Sequence, residues 1–349
     1  MEKILNLLNI ANTAIPKEKK LITTSLAKAT WYLKKGDPVA IPTETVYGLA
    51  ANIYNENAVK KIFEIKKRPA FNPLIVHVAS IDSMEEVAEN IPPIAYTLAE
   101  KFWPGPLTLI LEKKSTILDC ITAGKKTVAV RMPNHKMTLE LIKRVGFPLA
   151  APSANPFGSI SPTSAQHVAN YFKKELNVVL DGGECEKGIE STIVGFENGK
   201  VILYRLGVIS KEMIESVVGE VELLNVDENQ PKAPGMLHKH YAPKTKMIMS
   251  EQPLKRANEM LGSKIGLLIF GNENLPDSRY IAKNLSENGD VFEAAKNLYA
   301  HMHQLDEMGL ELIIAQKFPD SGIGKSINDR LSRACWSEMN YTSTNIFSE

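Results

Sequence analysis

Apolar residues recur at helical spacing across residues 21–36, and the pattern stops near Gly36, which predicts a helix over that stretch. The apolar triplet Val39–Ile41 follows as a short strand and runs into the polar turn Pro42-Thr43-Glu44-Thr45. Helical spacing returns over 56–67, 83–89, 94–101, 136–144 and 163–175. Between these stretches lie β-type runs at Leu74–Ala79, Leu107–Leu111, Thr127–Arg131 and Asn177–Leu180. Alternating strand and helix patterns place the chain in the α/β class. The segments are short and rich in proline, which argues against a purely parallel sheet.

The organisation changes after about residue 222. Residues 225–245, NVDENQPKAPGMLHKHYAPKT, carry Pro231, Pro234 and Pro243 with a glycine and several charges, the composition of a connecting segment. The segment is long for a loop inside a compact domain. Beyond it, Lys264–Phe270 predicts a buried strand ending at Gly271, and residues 291–308 an amphipathic helix. Leu310–Ala315 reads as a second strand and Ser326–Trp336 as a last helix. The expected layout is a first domain over 1–224, a linker over 225–245 and a smaller α/β domain over 246–349.

Length agrees with that layout, because 349 residues exceed one typical core. The formal net charge of +1 argues against a general nucleic-acid coat; weak RNA binding would have to use a local patch. Cys120, Cys185 and Cys335 are scattered, with neither a disulfide framework nor metal-ligand spacing. Asn6 and Asn9 interrupt the apolar stretch of the N-terminus, a poor match to a secretory signal, so a terminal extension packed on the first domain is expected. No apolar run approaches the roughly 20 residues needed to span a membrane.

Six clusters carry candidate chemistry. Thr43, Glu44, Thr45 and Tyr47 gather polar groups at the end of a short buried strand, where ligands sit in open α/β sheets. Lys66, Lys67 and Arg68 end a helix and precede a loop stiffened by Pro69 and Pro73. Three cations there suit either a helix C-terminus or a phosphate clamp. Arg131 closes the run TVAVRMP and faces either a carboxylate or water. APSANPFGSISPT places Ser153, Asn155 and Ser161 on a small-residue loop that suits close ligand approach or an ordinary capped turn. Asp181-Gly182-Gly183 with Gly188-Ile189-Glu190-Ser191-Thr192, and Tyr204-Arg205-Leu206-Gly207, complete the set.

Other chemistries find no support. No Gly-x-Gly-x-x-Gly follows a strand, so a dinucleotide site is unsupported. Gly324-Lys325-Ser326 imitates the end of a phosphate loop, but Pro319 stands where that loop needs its first glycine. His238 and His240 lack a third metal ligand, and no Ser-His-Asp order or His-Glu-x-x-His is present.

Taken in order, PTETVYGL, KKRPAFNPLIVHV, TVAVRMP, APSANPFGSISPT, GIESTIV and YRLG resemble the catalytic domain of the threonylcarbamoyl-AMP synthase family. APGMLHKHYAPKT resembles the segment between the two domains of that family's long form, and SGIGKSINDRLSRAC its C-terminal part. The resemblance runs from about residue 20 to the end; each motif is weak alone, and the ordered set is specific. It implies a YrdC-like domain with a twisted, mixed sheet and a large concave face, followed by a smaller, Rossmann-like α/β domain.

The family's reaction, as the resemblance implies, joins L-threonine, bicarbonate and ATP into L-threonylcarbamoyl-AMP and pyrophosphate. The product serves N6-threonylcarbamoyladenosine formation at position 37 of tRNAs that read ANN codons. Carried over residue by residue, Lys66, Arg68, Ser153 and Asn155 surround the reacting phosphate and carbamate. Threonine falls to Thr45, His77, Arg131, Ala151 and Ser191, with Arg131 on its carboxylate. ATP falls to Arg68, Asn72, Thr127, Ser153, Ser161, Arg205 and Tyr241, which makes the linker a lid. Magnesium is expected with ATP, held largely by phosphates and waters. The implied setting is cytoplasmic, without a membrane, and the implied recipient is a separate tRNA threonylcarbamoyl transferase. Lys66 and Arg68 are further expected at the end of a surface helix, where losing charge costs folding little. Two rivals are an RNA-gripping module without catalysis, disfavoured by the near-neutral charge, and a carbamoyl-transfer domain of a maturation enzyme, whose usual zinc-finger cysteines this sequence lacks.

Overall fold

The computed structural model describes residues 20–224, 240–260, 264–272 and 280–335. The expected terminal extension and most of the expected linker lie outside the described residues. The chain runs β1 (Ile22–Thr23), α1 (Leu26–Lys35), β2 (Val39–Ile41), β3 (Gly48–Asn52), α2 (Glu56–Lys66), β4 (Ile75–His77), α3 (Met84–Val87), α4 (Pro93–Phe102), β5 (Leu107–Glu112), α5 (Asp119–Thr122) and β6 (Thr127–Arg131). It continues through α6 (Lys136–Val145), β7 (Leu149–Ala150), α7 (Ala165–Tyr171), β8 (Val179–Leu180), β9 (Thr192–Glu197), β10 (Lys200–Arg205), α8 (Lys211–Val218) and β11 (Val221–Leu223). The last elements are β12 (Lys246–Ser250), α9 (Pro253–Asn258), β13 (Ile265–Ile269), β14 (Ile281–Asn284), α10 (Val291–Asp306), β15 (Leu312–Gln316) and α11 (Gly322–Ala334).

The first eleven strands form one mixed sheet in the order β1-β8-β2-β3-β7-β4-β6-β5-β9-β10-β11. The remaining four form a separate parallel sheet, β12-β15-β13-β14. Period-2 alternation gives the large sheet two faces. Val76, Leu109, Val130, Val194 and Leu203 point into the helix-covered core. Ile75, Ile110, Ala129, Ile193 and Ile202 form a second apolar cluster on the opposite face.

Two predicted boundaries shift for local reasons. The first helix starts at Leu26, because Ser25 caps it by accepting from the Lys28 N–H. The β-branched Ile22 and Thr23 ahead of it pair with Val179 and Leu180 instead. The last helix starts at Gly322, earlier than the glycines suggest. A Cβ on Gly324 would meet the Pro319 carbonyl oxygen at 2.1 Å, so glycine is what lets this first turn close against the preceding loop.

The two sheets share an apolar seam. Val46, Ile160, Ile189, Val208 and Tyr241 cluster with Leu298, Tyr299, Met302, Ile323 and Ile327 from α10 and α11. Among the described residues no helix is long and apolar enough to cross a membrane.

Candidate functional site

The floor of the site is the sheet face opposite the helices. His77 and Arg131 end β4 and β6, which are parallel and register His77 against Arg131, so both side chains stand on that face. By plain alternation Arg205 would share the helix-covered face with Leu203. A β-bulge between Leu203 and Arg205 registers Arg205 against Ile193 instead, which turns the guanidinium to the floor side. Its Nε and Nη2 then donate to the Ser191 carbonyl at 3.0 and 2.8 Å, and Nη2 to Ser191 Oγ at 3.1 Å. Ser191 Oγ also pairs with Thr108 Oγ1 at 2.8 Å.

The turn after β2 is built by hydroxyls. Thr43 Oγ1 accepts from the N–H groups of Thr45 and Val46 and donates to the Val46 carbonyl at 2.6 Å. That turn places Glu44 beside Arg131, with Oε1 and Nη2 2.7 Å apart. The pair is close but poorly aligned, and neither Glu44 oxygen nor Arg131 Nη2 makes a hydrogen bond.

The cluster KKRPAFNP departs from its sequence expectation. Lys66 and Arg68 are not on a surface helix end; they are 1% and 8% exposed. Lys66 Nζ donates to the carbonyls of Ser153 and Asn155 at 2.6 and 2.5 Å, tying the loop after β7 to α2. Burial, and then the neighbouring Arg68, push its pKa well below the usual lysine value. Arg68 folds its own loop, donating from Nε to the Asn72 carbonyl and from Nη2 to the Pro73 carbonyl. Burial lowers its pKa to about 9, so it stays cationic at neutral pH. His77 is driven to about 3 by burial and then by Arg131, so it stands neutral.

These elements line one partly open cavity of about 50 Å³. Thr45, His77, Arg131, Ala151 and Ser191 line it. So do Arg68, Ser153, Arg205 and Tyr241. Lys66, Asn72, Asn155 and Ser161 stand one layer back: none is among the cavity's lining residues, and each is buried. Thr127 is on the same sheet face as Arg131 but four residues down β6, about 13 Å away along the strand.

Glu190 and His240 line the cavity, although the sequence reading gave neither a ligand role. Glu190 Oε1 accepts from Ser161 Oγ at 2.7 Å, and Oε2 from Tyr299 Oη at 3.0 Å and Arg330 Nε at 3.1 Å. The signal available was its place between Ile189 and Ser191 in GIEST. Tyr241, 1% exposed with φ +63°, lines the cavity with its ring stacked on Tyr299 at 5.7 Å and under the Arg330 guanidinium at 5.4 Å. Burial first, then Arg68 and Lys66, hold His240 well below the usual histidine range.

A mixed-sheet α/β domain here gathers three arginines and several hydroxyls around one cavity, a lining suited to anionic groups. Residues 31–207 match the Sua5, YciO and YrdC family, described as telomere recombination. Residues 209–335 match the family described as threonylcarbamoyl-AMP synthase, C-terminal domain. The chain is 41% identical over 320 residues to the threonylcarbamoyl-AMP synthase of Pyrococcus abyssi, covering 88% of this chain and 92% of that one. It is 40% identical over 319 residues to the Bacillus subtilis protein of the same name, with the same coverage. The crystal structure of P. abyssi Sua5 complexed with L-threonine superposes with a TM-score of 0.82 at 40% identity, over 89% of this chain and 94% of that one. A variant of that protein, with a histidine and the adjacent tyrosine replaced by alanine, gives the same TM-score at 38% identity. This chain belongs to the threonylcarbamoyl-AMP synthase family in its long two-domain form, a family of nucleotidyltransferases.

Proposed function

We propose that the cavity joins L-threonine, bicarbonate and ATP into L-threonylcarbamoyl-AMP and pyrophosphate, for N6-threonylcarbamoyladenosine in tRNA. One observation carries the assignment. Nine described residues have a buried polar side-chain atom without a hydrogen bond, and five of them, Glu44, Asn72, Arg131, Asn155 and His240, fall in the clusters around this cavity. Glu44 and Arg131 face each other as an ion pair, whereas each orphan atom of Asn72, Asn155 and His240 costs about 1–3 kcal/mol unless a partner arrives. The threonine carboxylate would share the Arg131 guanidinium with Glu44 or displace it, and a triphosphate suits the cationic flank of Arg68 and Arg205.

In this scheme bicarbonate loses hydroxide, which leaves as water with a proton from the threonine ammonium; the amine nitrogen bonds to the resulting carbon dioxide and a second amine proton passes to solvent, giving a carbamate. A carbamate oxygen bonds to the α-phosphorus as the bond to pyrophosphate breaks, and pyrophosphate leaves with that electron pair. Charge gathers on the phosphorus oxygens, where Arg68 and Arg205 stand already oriented. Lys66 contributes by fixing the carbonyls of Ser153 and Asn155. The apolar face of Ile75, Ile110 and Ala129 offers the base a surface between Arg131 and Thr127. Magnesium would arrive with ATP, held largely by phosphates and waters. Tyr241 lines the cavity beside Arg68 and Arg205, where its ring would cover the nucleotide and exclude water from the reactive anhydride. The reaction belongs in the cytoplasm, and a separate tRNA-acting transferase consumes the product.

The test is pyrophosphate release by the full chain given all three substrates without RNA, with the adenylate detected by mass spectrometry. Release that needs threonine, bicarbonate and ATP together is expected. No release without RNA, alongside tight tRNA binding, favours the RNA-gripping module instead.

A further inference from the structure

The two walls of the cavity are held differently. Thr45, His77, Arg131 and Ala151 lie on or beside strands of the large sheet, whereas Glu190 and Tyr241 are gripped by α10 and α11, and Arg205, which ends β10, is followed by a turn that α11 holds. Arg330, 1% exposed, is not among the residues lining the cavity. Its Nε donates to Glu190, its Nη1 to Asp329 at 2.7 Å, and its Nη2 to the Leu206 carbonyl at 2.7 Å, while its guanidinium plane covers Tyr241. One turn earlier, Ser326 Oγ donates to the Gly207 carbonyl at 2.8 Å. A Cβ on Gly207 would lie 2.3 Å from the Thr192 nitrogen, so the Leu206–Gly207 turn lies flat on the Glu190–Thr192 backbone. Holding that turn therefore holds Arg205, the residue before it, on Ser191.

We propose that Arg330 is a positioning residue for ATP: through Glu190, the Leu206 carbonyl and the Tyr241 ring it sets the nucleotide wall, so the second domain completes the site. This rests on the assignment of the cavity to ATP and threonine. A buried ion pair adds little stability over apolar residues of the same volume, and the seam already has an apolar cluster to dock the units. Tyr241 sits in the left-handed region, which a non-glycine residue holds only when packing over-determines it. Tyr299 and Arg330 supply that packing and meet on the same Glu190 oxygen.

The experiment uses the full chain and its Arg330→Lys variant, which keeps the charge and loses the planar fork. Steady-state pyrophosphate release gives KM values, and calorimetry gives Kd for a non-hydrolysable ATP analogue and for threonine. The expected result is a rise of roughly tenfold or more in KM and Kd for the nucleotide, with threonine Kd changed less than about threefold. Should the lysine variant fail to melt cooperatively, the double variant Glu190→Gln with Arg330→Met, which leaves no unpaired buried charge, is measured with the same expectation. Nucleotide affinity within about twofold of the parent in a folded variant overturns the proposal, as does an equal loss of threonine and nucleotide binding. A parent chain that binds neither ligand overturns the cavity assignment itself and is seen before any variant is compared.

Discussion

The sheet wall and the far wall of this cavity teach different lessons about preorganisation. His77 and Arg131 end parallel strands with fixed register, so their positions follow from backbone pairing inside one unit. Glu190 and Tyr241 lie outside the strands and Arg205 at the bulged end of β10, and their geometry leans on Tyr299, Ser326 and Arg330 across the seam. The first wall should be rigid whether or not the units dock. The second should exist only when they do.

Four measurements sharpen or break that contrast. The largest effect concerns the sheet wall. A site built around a hydroxyl leaves its own polar groups unpaired when the hydroxyl is missing, so valine should be turned over roughly 10⁴-fold less efficiently than threonine. Equal kcat/KM for the two amino acids removes the threonine assignment from Thr45, His77 and Ser191.

Arg68 and Lys66 come next because they divide the two roles. Arg68→Ala should lower turnover roughly 10²–10³-fold, by analogy with losing one oxyanion donor. It should also cost about 1–3 kcal/mol of stability, since the Asn72 and Pro73 carbonyls lose their donor. Lys66→Ala strips two buried carbonyls at once and should show mainly in the thermal melt, at roughly 2–5 kcal/mol. A Lys66 variant with parental stability and no turnover would put Lys66 on the substrate instead.

Acid should loosen the sheet wall in a defined window. His77 has its folded pKa lowered from 6.5 to about 3, so its stabilising contribution is complete above pH 6.5 and is lost as pH falls toward 3. At pH 4 the loss is roughly 3 kcal/mol. His77→Asn should flatten that part of the stability-against-pH curve, and an unchanged curve shows that His77 is not held neutral. The smallest effect is on the far wall. Ser326→Ala removes one hydrogen bond to Gly207, worth about 1 kcal/mol, and should raise KM for ATP a few-fold while leaving threonine affinity alone.

Periodicity made much of this fold legible. The strand at Thr127–Arg131 and the helix over 136–144 are where the pattern puts them, give or take a residue. What escaped was set by tertiary context. Strand β3, Gly48–Asn52, is made of glycine, alanine and asparagine with one leucine, a composition with little β preference, and is held by its neighbours Val39–Ile41 and Leu149–Ala150. The burial of Lys66 was illegible for a similar reason. A cation at the last turn of a helix normally faces water, and only the carbonyls of a loop some ninety residues later draw it inward. The cavity's arginines were legible as motif residues. The bulge that aims Arg205 and the seam that engages Glu190 are long-range facts, and no local pattern encodes them.

The most direct test is a crystal structure of the full chain with threonine and a non-hydrolysable ATP analogue bound together. The account predicts the threonine carboxylate on Arg131 against the sheet wall, and the triphosphate between Arg68 and Arg205. It also predicts the Tyr241 ring closed over the nucleotide with Arg330 still on Glu190. A nucleotide seated away from Glu190 and Arg205, or one bound identically after the Arg330–Glu190 contact has come apart, contradicts it.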